Sequence, residues 1–181
     1  MTKQQLAEKI RQKAYLEGEF ILRSGKKSNY YLDKYLFETD PEILEELARR
    51  MANFADDVDV IAGAELGAVA LATAVSLITK KPFCIVRKER KDYATGKLIE
   101  GADVSGKKVL LVEDVGTTAG AALSAARVLT DAGADIRRIV FAIDRMEGAR
   151  ENVESAGFEF HAILTIEDLG LGTQGVNSKV D

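Results

Sequence analysis

The 181 residues include 25 lysines and arginines and 29 acidic side chains, for a net charge of −4, and 46% are hydrophobic. This composition is typical of a soluble globular domain with a real core, and it excludes a disordered chain or one whose overall field recruits nucleic acid. No apolar run approaches the roughly 20 residues of a membrane helix. The single cysteine, Cys84, lies in an apolar run, so we expect a buried thiol and a reducing, cytoplasmic compartment.

The first part of the chain predicts a small substructure, a helix followed by a hairpin. A capping-box spacing opens the helix, and strands at 19–23 and 29–33 flank a Ser-Gly-Lys-Lys turn. Tyr30 and Tyr31 are neighbours in the second strand and therefore point to opposite faces. We expect one ring in the core and the other free to stack on a planar ligand or to cover a site.

From Asp40-Pro41, which has the composition of a helix start, strands and helices alternate along the chain. The predicted strands are 58–62, 83–86, 109–112, 139–143 and 160–164. This alternation implies an α/β fold with a mostly parallel sheet flanked by helices, and with the N-terminal substructure as a small hood over the carboxyl edge. We expect one domain over 1–181, divided into the hood (1–40), the α/β core (41–169) and a flexible tail (170–181).

The most informative stretch begins at Val109 and runs into a helical pattern that ends at Gly133. Four apolar residues predict a buried strand, two acids follow it, and then comes a loop of small and hydroxyl residues. The loop consists of Val115, Gly116, Thr117, Thr118, Ala119, Gly120 and Ala121. Small residues let backbone N–H groups approach an anion, and the helix directs its positive end at the same place, with Thr117 or Thr118 as N-cap. We therefore expect a phosphate monoester at this loop.

Glu113 and Asp114 directly precede this loop, so we expect their side chains beside the phosphate site. Carboxylates would repel a phosphate, so we expect them to face hydroxyl donors, of which a sugar diol is the natural example. A phosphate beside vicinal hydroxyls describes a ribose 5-phosphate. The loop contains neither the Gly-Lys-Ser/Thr of a Walker loop nor the Gly-x-Gly-x-x-Gly of a dinucleotide site.

Two further loops at strand ends have two interpretations each. Residues 63–67 form a small-residue loop that suits either a diphosphate or a tight packing turn. Residues 87–101 are long, charged and glycine-bearing, and their four leading cations suit either a diphosphate or a solvated loop. The phosphate loop that follows favours the diphosphate, because a leaving diphosphate needs cations. His161 lies in the last predicted strand without a triad or metal cluster in the nearby sequence, so we expect a structural role for it.

Four motifs resemble those of a known family, in that family's order. The strand, the acids and the Gly-Thr-Thr-Ala-Gly run at 116–120 resemble the phosphoribosyl-diphosphate (PRPP) motif of type I phosphoribosyltransferases. Three others are similar to motifs of orotate phosphoribosyltransferases: the N-terminal signature at 20–31, the mobile catalytic loop at 87–101 and the base-site segment at 144–148. The stretch 35–41 is more similar to the archaeal branch than to the bacterial one.

The resemblance implies a type I phosphoribosyltransferase fold and a pentosyltransferase reaction. PRPP and orotate would give orotidine 5′-phosphate and diphosphate, a step of pyrimidine (UMP) biosynthesis, with Mg²⁺ held mainly through PRPP rather than by a protein metal site. The resemblance also implies a homodimer in which the 87–101 loop contributes to the neighbouring subunit's site.

The residue roles that the resemblance implies fall into three groups. The catalytic residues would be Lys88, Lys91 and Asp114. PRPP would be contacted by Arg87, Lys88, Lys91, Tyr93, Glu113, Asp114 and the loop residues 115–121. Orotate would be bound by Thr117, Arg145, Arg23 and Tyr31. Two positions depart from bacterial relatives: Tyr93 stands where many of them have a histidine, and Leu66 where they have a lysine beside the diphosphate loop.

Two alternative functions stay open at this point. A phosphoribosyltransferase for a purine or another base would share the PRPP loop, although the hairpin signature and Arg145 favour orotate. A non-catalytic relative that senses PRPP as a transcriptional regulator would need a DNA-binding element, and the sequence shows no helix-turn-helix segment or basic face. Neither a nucleic acid nor a membrane is expected as a partner.

Overall fold

The computed structural model describes residues 1–21, 27–89 and 97–171, which form helices around a central sheet. The strands are β1 (Tyr15–Ile21), β2 (Lys27–Leu32), β3 (Val60–Ala64), β4 (Phe83–Val86), β5 (Ile99–Gly101), β6 (Lys108–Gly116), β7 (Asp135–Asp144) and β8 (Phe160–Thr165). The helices are α1 (Lys3–Ala14), α2 (Lys34–Glu38), α3 (Pro41–Ala52), α4 (Ala68–Thr79), α5 (Gly120–Asp131) and α6 (Ala149–Ser155). Within these ranges, no helix combines the length and the apolar character that crossing a membrane requires.

The central sheet has the strand order β5-β4-β3-β6-β7-β8, and β1 pairs with β2 in a separate antiparallel hairpin. Neighbouring strands from β4 to β8 in that order run parallel, which confirms the predicted parallel sheet. The exception is β5, which pairs antiparallel with β4. The interpretation of 87–101 as a loop without regular structure was therefore wrong for its last part. So short an edge strand has no hydrophobic period that the sequence could show.

The core lies on both faces of the sheet, and β6 shows why. Leu110 and Val112 pack on one face with residues of α1, α3 and α4, whereas Val109 and Leu111 pack on the other with residues of α5 and α6. All four side chains are fully buried. Because successive side chains of a strand point to opposite faces, a strand that is covered on both sides needs an unbroken apolar run, as predicted here.

The N-terminal helix is capped as predicted. The Thr2 hydroxyl accepts a hydrogen bond from the backbone N–H of Gln5 at 3.1 Å, and the Gln5 side chain accepts one from the Thr2 backbone at 2.8 Å. The chain then passes from α1 straight into the hairpin, so β1 begins at Tyr15 rather than at residue 19. Cys84 is fully buried in β4, in agreement with the prediction, and this burial raises the pKa of its thiol to about 12.

The two hairpin tyrosines differ from the prediction, because neither ring lies in the core. Tyr30 is half-buried and stacks on Tyr15 with ring centroids 5.7 Å apart. Tyr31 is exposed and contacts Phe20 at 5.6 Å. Leu32, on the same face of β2 as Tyr30, is the residue that enters the core. The aliphatic side chain two residues further along thus takes the place that we expected for a ring.

Helix starts follow the prediction at α3 but not at α5. The Asp40 carboxylate accepts hydrogen bonds from two first-turn N–H groups of α3, at 3.1 and 3.2 Å. Neither Thr117 nor Thr118 caps α5. The chain turns into α5 through Ala119, whose φ of 59° lies in the left-handed region, and no side chain of the described residues caps the first turn.

Other helix boundaries are partly as predicted. Gly133 follows α5 with a φ of 87°, the conformation expected of a glycine that ends a helix. α6 is shorter than the predicted 147–156, since Gly148, with a φ of 101°, still belongs to the preceding turn. The five residues of α2 are too few to show a period, and we did not predict this helix. Most of the predicted tail (170–181) lies outside the described residues, and the division into hood and core stays a prediction.

Candidate functional site

The carboxyl ends of three parallel strands, β3, β6 and β7, meet at one edge of the sheet. Gly116 at the end of β6 is paired with Asp144 at the end of β7, and the backbone N–H of Arg145 donates to the Gly116 carbonyl at 2.8 Å. Ligands of open α/β sheets bind at this edge. The segments that leave these strands and border the edge are 65–67, 117–120 and 145–148.

The loop between β6 and α5 has the features of an anion site. A Cβ at Gly116 would lie 2.9 Å from the Phe141 ring, so only glycine lets the strand end this close to the core. The Asn152 side chain donates to the Thr118 carbonyl at 3.0 Å and so ties the loop to α6. The uncapped first-turn N–H groups of α5 lie at the positive end of this helix, which favours an anion.

The two acids lie within β6 rather than after it, and both side chains are buried. One Glu113 oxygen accepts the backbone N–H of Asp114 at 3.1 Å, and the other has no hydrogen-bond partner among the described residues. Burial, followed by the charge of Asp114, raises the pKa of Glu113 above its usual range. A buried carboxyl oxygen without a partner is suited to a ligand that donates a hydroxyl.

A lysine that we did not predict contacts this acidic pair. Lys34, at the start of α2, forms a hydrogen-bonded ion pair with Asp114. Burial works to lower the pKa of Lys34, but the charge and hydrogen bond of Asp114 outweigh it and raise the pKa. Glu38, one turn further along α2, is only 2% exposed, and burial together with the charge of Asp114 raises its pKa to about 9.

The signals for these two residues in the sequence were weak. Lys34 and Glu38 are spaced i, i+4 behind Asp33, which caps α2 by accepting the N–H of Tyr35 at 3.1 Å. This spacing puts both side chains on one face of a helix. Nothing in the local sequence shows that the face meets Asp114, which is 80 residues away along the chain.

The 63–67 loop is a tight packing turn that also borders the acidic pair, and its contact with a diphosphate stays a prediction. A Cβ at Gly63 would lie 2.6 Å from the Ala68 carbonyl oxygen, so the strand and helix pack tightly there. A Cβ at Gly67 would lie 1.6 Å from an Asp114 carboxylate oxygen and 2.6 Å from Lys34 Nζ. Position 67 must therefore be glycine, because any side chain there would collide with Asp114 and Lys34. The peptide bond between Glu65 and Leu66 is cis, and Leu66 is 67% exposed.

The same loop holds the start of the cationic segment. The Glu65 carboxylate accepts the backbone N–H of Lys88 at 2.8 Å and lies 3.5 Å from the Arg87 guanidinium. Arg87 and Lys88 thus leave β4 beside the turn that was expected to hold a diphosphate. The structure brings these two predicted residues, the acidic pair and the 115–121 loop to one edge.

Arg145 lies on the opposite side of the 115–121 loop, under the hairpin. Its guanidinium carbon is 6.0 Å from the centre of the Tyr30 ring, and Nε is 3.0 Å from a Glu147 oxygen. The Asp144 carboxylate accepts the N–H of Met146 at 2.8 Å and so fixes the turn. Tyr31 points to the other face of β2. The tyrosine next to Arg145 is therefore Tyr30, and the contact of Tyr31 with a ligand stays a prediction.

Three predicted site residues, Arg23, Lys91 and Tyr93, lie outside the described residues. His161 contacts Glu159 at 2.6 Å and packs on the Phe54 ring with centroids 4.5 Å apart, away from the carboxyl edge. Among residues 1–21, 27–89 and 97–171, no three His, Cys, Asp or Glu side chains are grouped as a protein-only metal site would require.

Comparisons with known proteins agree with this geometry. The family model described as "Phosphoribosyl transferase domain" matches residues 37–170. An orotate phosphoribosyltransferase of Pyrococcus horikoshii is 48% identical over 156 residues, which cover 84% of this chain and 84% of that protein. One of a Nocardioides species is 46% identical over 155 residues, covering 85% and 87% of the two chains.

A solved structure extends the similarity to three dimensions. The orotate phosphoribosyltransferase of Mycobacterium tuberculosis, in a crystal structure with PRPP, superposes with a TM-score of 0.79 at 32% identity, covering 93% of this chain and 99% of that one. The family match spans most of the chain, and the sequence identities hold over most of both partners. The chain therefore belongs to the phosphoribosyltransferase family and, within it, to the orotate phosphoribosyltransferases.

Proposed function

We propose that this protein transfers the 5-phosphoribosyl group of PRPP to orotate and releases orotidine 5′-phosphate and diphosphate. The observation that carries the proposal is the meeting of an uncapped helix start, a buried acidic pair and a half-buried arginine at one carboxyl edge. Relatives that share almost half of its residues are orotate phosphoribosyltransferases, and a structural neighbour is described with PRPP bound.

The chain's first task is to hold the ribose. The N–H groups of 115–121 bind the 5-phosphate, and Glu113 and Asp114 accept hydrogen bonds from the ring hydroxyls. The Glu113 oxygen that has no hydrogen-bond partner within residues 1–21, 27–89 and 97–171 supports this assignment. Burial excludes water from these bonds and strengthens them, so the ribose is fixed while its anomeric carbon reacts.

The second task is to stabilise charge on the departing diphosphate. The bond between C1 and the diphosphate breaks early and leaves an oxocarbenium-like ribose. Arg87, Lys88 and Lys91 contact the diphosphate, and their position beside the 65–67 turn supports this for the first two. Mg²⁺, held mainly through the PRPP phosphates, would neutralise further charge, and the carboxylates at this edge that could assist it are Asp114 and Glu65.

The third task is to orient orotate. Arg145 suits a planar carboxylate because its guanidinium forms two parallel hydrogen bonds, and Thr117, Arg23 and Tyr31 complete the base site. The side chain of Arg145 is only 16% exposed, and the adjacent Tyr30 ring limits its freedom. Orotate that binds already deprotonated at the reacting nitrogen attacks C1 without a general base.

The oligomeric state and the cellular location that we propose are those implied by the family resemblance. The chain forms a homodimer in which the 87–101 loop reaches the partner's site, and it works in the cytoplasm. The exposed apolar side chains of Leu77 and Ile78, at the end of α4, are compatible with a contact between copies.

A spectrophotometric assay tests the proposal. The protein with PRPP and Mg²⁺ should consume orotate but not uracil, adenine or hypoxanthine. Asp114→Asn should abolish turnover, whereas Asp57→Asn, which alters an ion-paired aspartate outside the site, should not. Turnover of a purine would assign the enzyme to another base, and PRPP binding without turnover of any base would favour a sensor.

A further inference from the structure

The 65–67 turn, where we expect the diphosphate, has no cationic side chain of its own. By the family resemblance, Leu66 stands where bacterial members have a lysine beside this turn, and Leu66 itself carries no charge. The acidic pair Glu113 and Asp114 lies at this edge, and both side chains are at most 6% exposed. A substrate with a phosphate and a diphosphate needs a cation at this point, because unscreened carboxylates would repel it.

Lys34 brings a positive charge to the 65–67 turn. Its ammonium group lies against the backbone of Gly67, since a Cβ there would be only 2.6 Å from Nζ. The same group pairs with Asp114, whose carboxylate also lies against Gly67, so the lysine and the acid expected to bind the ribose both border the turn. Its side chain is 31% exposed, although its partner's is only 5% exposed, so the lysine faces the open side of the pair.

We propose that Lys34 is a PRPP-binding residue that takes the place of the lysine missing at position 66 and contacts the diphosphate above the 65–67 turn. This inference rests on the proposed function and adds a residue from α2 to the site. An ammonium group has three donors, so contact with the diphosphate need not break the pair with Asp114. The hood thereby takes part in substrate binding, because α2 directly follows β2.

A second cation, Arg87, is also held beside the turn by a carboxylate. Arg87 lies 3.5 Å from Glu65, on the β4 side of the turn, as Lys34 lies beside Asp114 on the α2 side. Each cation is held by a carboxylate, so both are positioned before a diphosphate arrives. Positioned charges bind an anion with less loss of side-chain entropy than free surface lysines do.

Calorimetry with two fragments of PRPP tests the inference. Lys34→Met should weaken binding of inorganic diphosphate with Mg²⁺ by about 10- to 100-fold, as expected for a lost charge-assisted hydrogen bond. Binding of ribose 5-phosphate should change less than about threefold, because its phosphate lies at the 115–121 loop. Lys34→Arg should keep most of the diphosphate affinity, and it serves as the second variant if the methionine variant does not fold. Lys13→Met, which removes a lysine paired with Asp40 at 3.0 Å, is the matched control.

The outcomes separate the possible roles. Unchanged diphosphate binding in Lys34→Met overturns the inference, and so does a loss confined to ribose 5-phosphate, which would mean that Lys34 only positions Asp114. If only the arginine variant folds, a diphosphate affinity reduced by more than about tenfold relative to the wild type overturns the inference. The wild-type protein tests the proposed function separately: if it neither binds PRPP nor consumes orotate, that function and this inference both fail.

Discussion

Replacing Glu38 with glutamine should remove a pH dependence of stability. Glu38 is 2% exposed, and its pKa is raised from about 4.5 to about 9, first by burial and then by the charge of Asp114. The folded protein therefore keeps this carboxyl protonated at neutral pH, whereas the unfolded chain releases the proton. Its stabilising effect is complete below the unfolded pKa and is lost as the pH rises toward 9.

The magnitude follows from the two pKa values. Each pH unit between them changes the free energy of unfolding by about 1.4 kcal/mol per group. Between pH 5.5 and 8.0, the wild-type protein should lose roughly 3 kcal/mol that Glu38→Gln does not lose. Glutamine keeps the size and the neutral hydrogen-bonding character of the protonated acid, and the contribution of Glu113 is common to both proteins.

Urea unfolding at pH 5.5, 6.5 and 8.0, followed by circular dichroism at one fixed protein concentration, measures this difference. Glu45→Gln removes an exposed carboxylate of α3 and is the control, which should follow the wild-type pH profile. Parallel pH profiles for the wild type and Glu38→Gln would mean that Glu38 is ionised in the folded protein. The description of the acidic cluster around Lys34 would then be wrong.

Four further predictions concern the site and the core. Gly67→Ala should weaken PRPP binding more than about tenfold, since the added Cβ would displace Asp114. A PRPP affinity measured by calorimetry that equals that of the wild type would argue against the close contact between Gly67 and Asp114. Lys91→Ala should lower kcat by about two orders of magnitude or more without changing the thermal midpoint, and near-normal turnover would exclude a catalytic role. Arg145→Ala should raise KM for orotate far more than KM for PRPP; equal increases would contradict contact with the base. Cys84 should resist a thiol reagent at pH 8 until the protein unfolds, because its thiol is fully buried, and rapid labelling of the native protein would refute this.

Elements with strong local patterns were predictable. The run from Val109 to Val112 predicted a buried strand and Asp40-Pro41 predicted a helix start, and both are confirmed. Because parallel strands present their carboxyl ends at one edge, the proximity of Asp114 to Gly116 and Arg145 also followed from sequence order. The first two predictions rest on residue patterns within a few positions of the chain. The third rests on the topology of a parallel sheet, which follows from the order of its strands and helices.

What could not be predicted depends on tertiary contacts. A hood over the sheet edge was expected, but the pairing of Lys34 with Asp114 requires the short helix α2 to turn one face toward β6, and no sequence period encodes that contact. Ala119 adopts a left-handed conformation where a threonine cap was expected, because the loop between β6 and α5 has its own geometry. Likewise, the choice of Tyr30 over Tyr31 as the neighbour of Arg145 depends on which face of β2 turns inward.

A crystal structure of the protein with PRPP and Mg²⁺ tests the central claim most directly. We expect the 5-phosphate at the N–H groups of the 115–121 loop, the ribose hydroxyls on Glu113 and Asp114, and the diphosphate within hydrogen-bonding distance of Lys34. PRPP bound at another surface, with this loop free of ligand, would contradict the account.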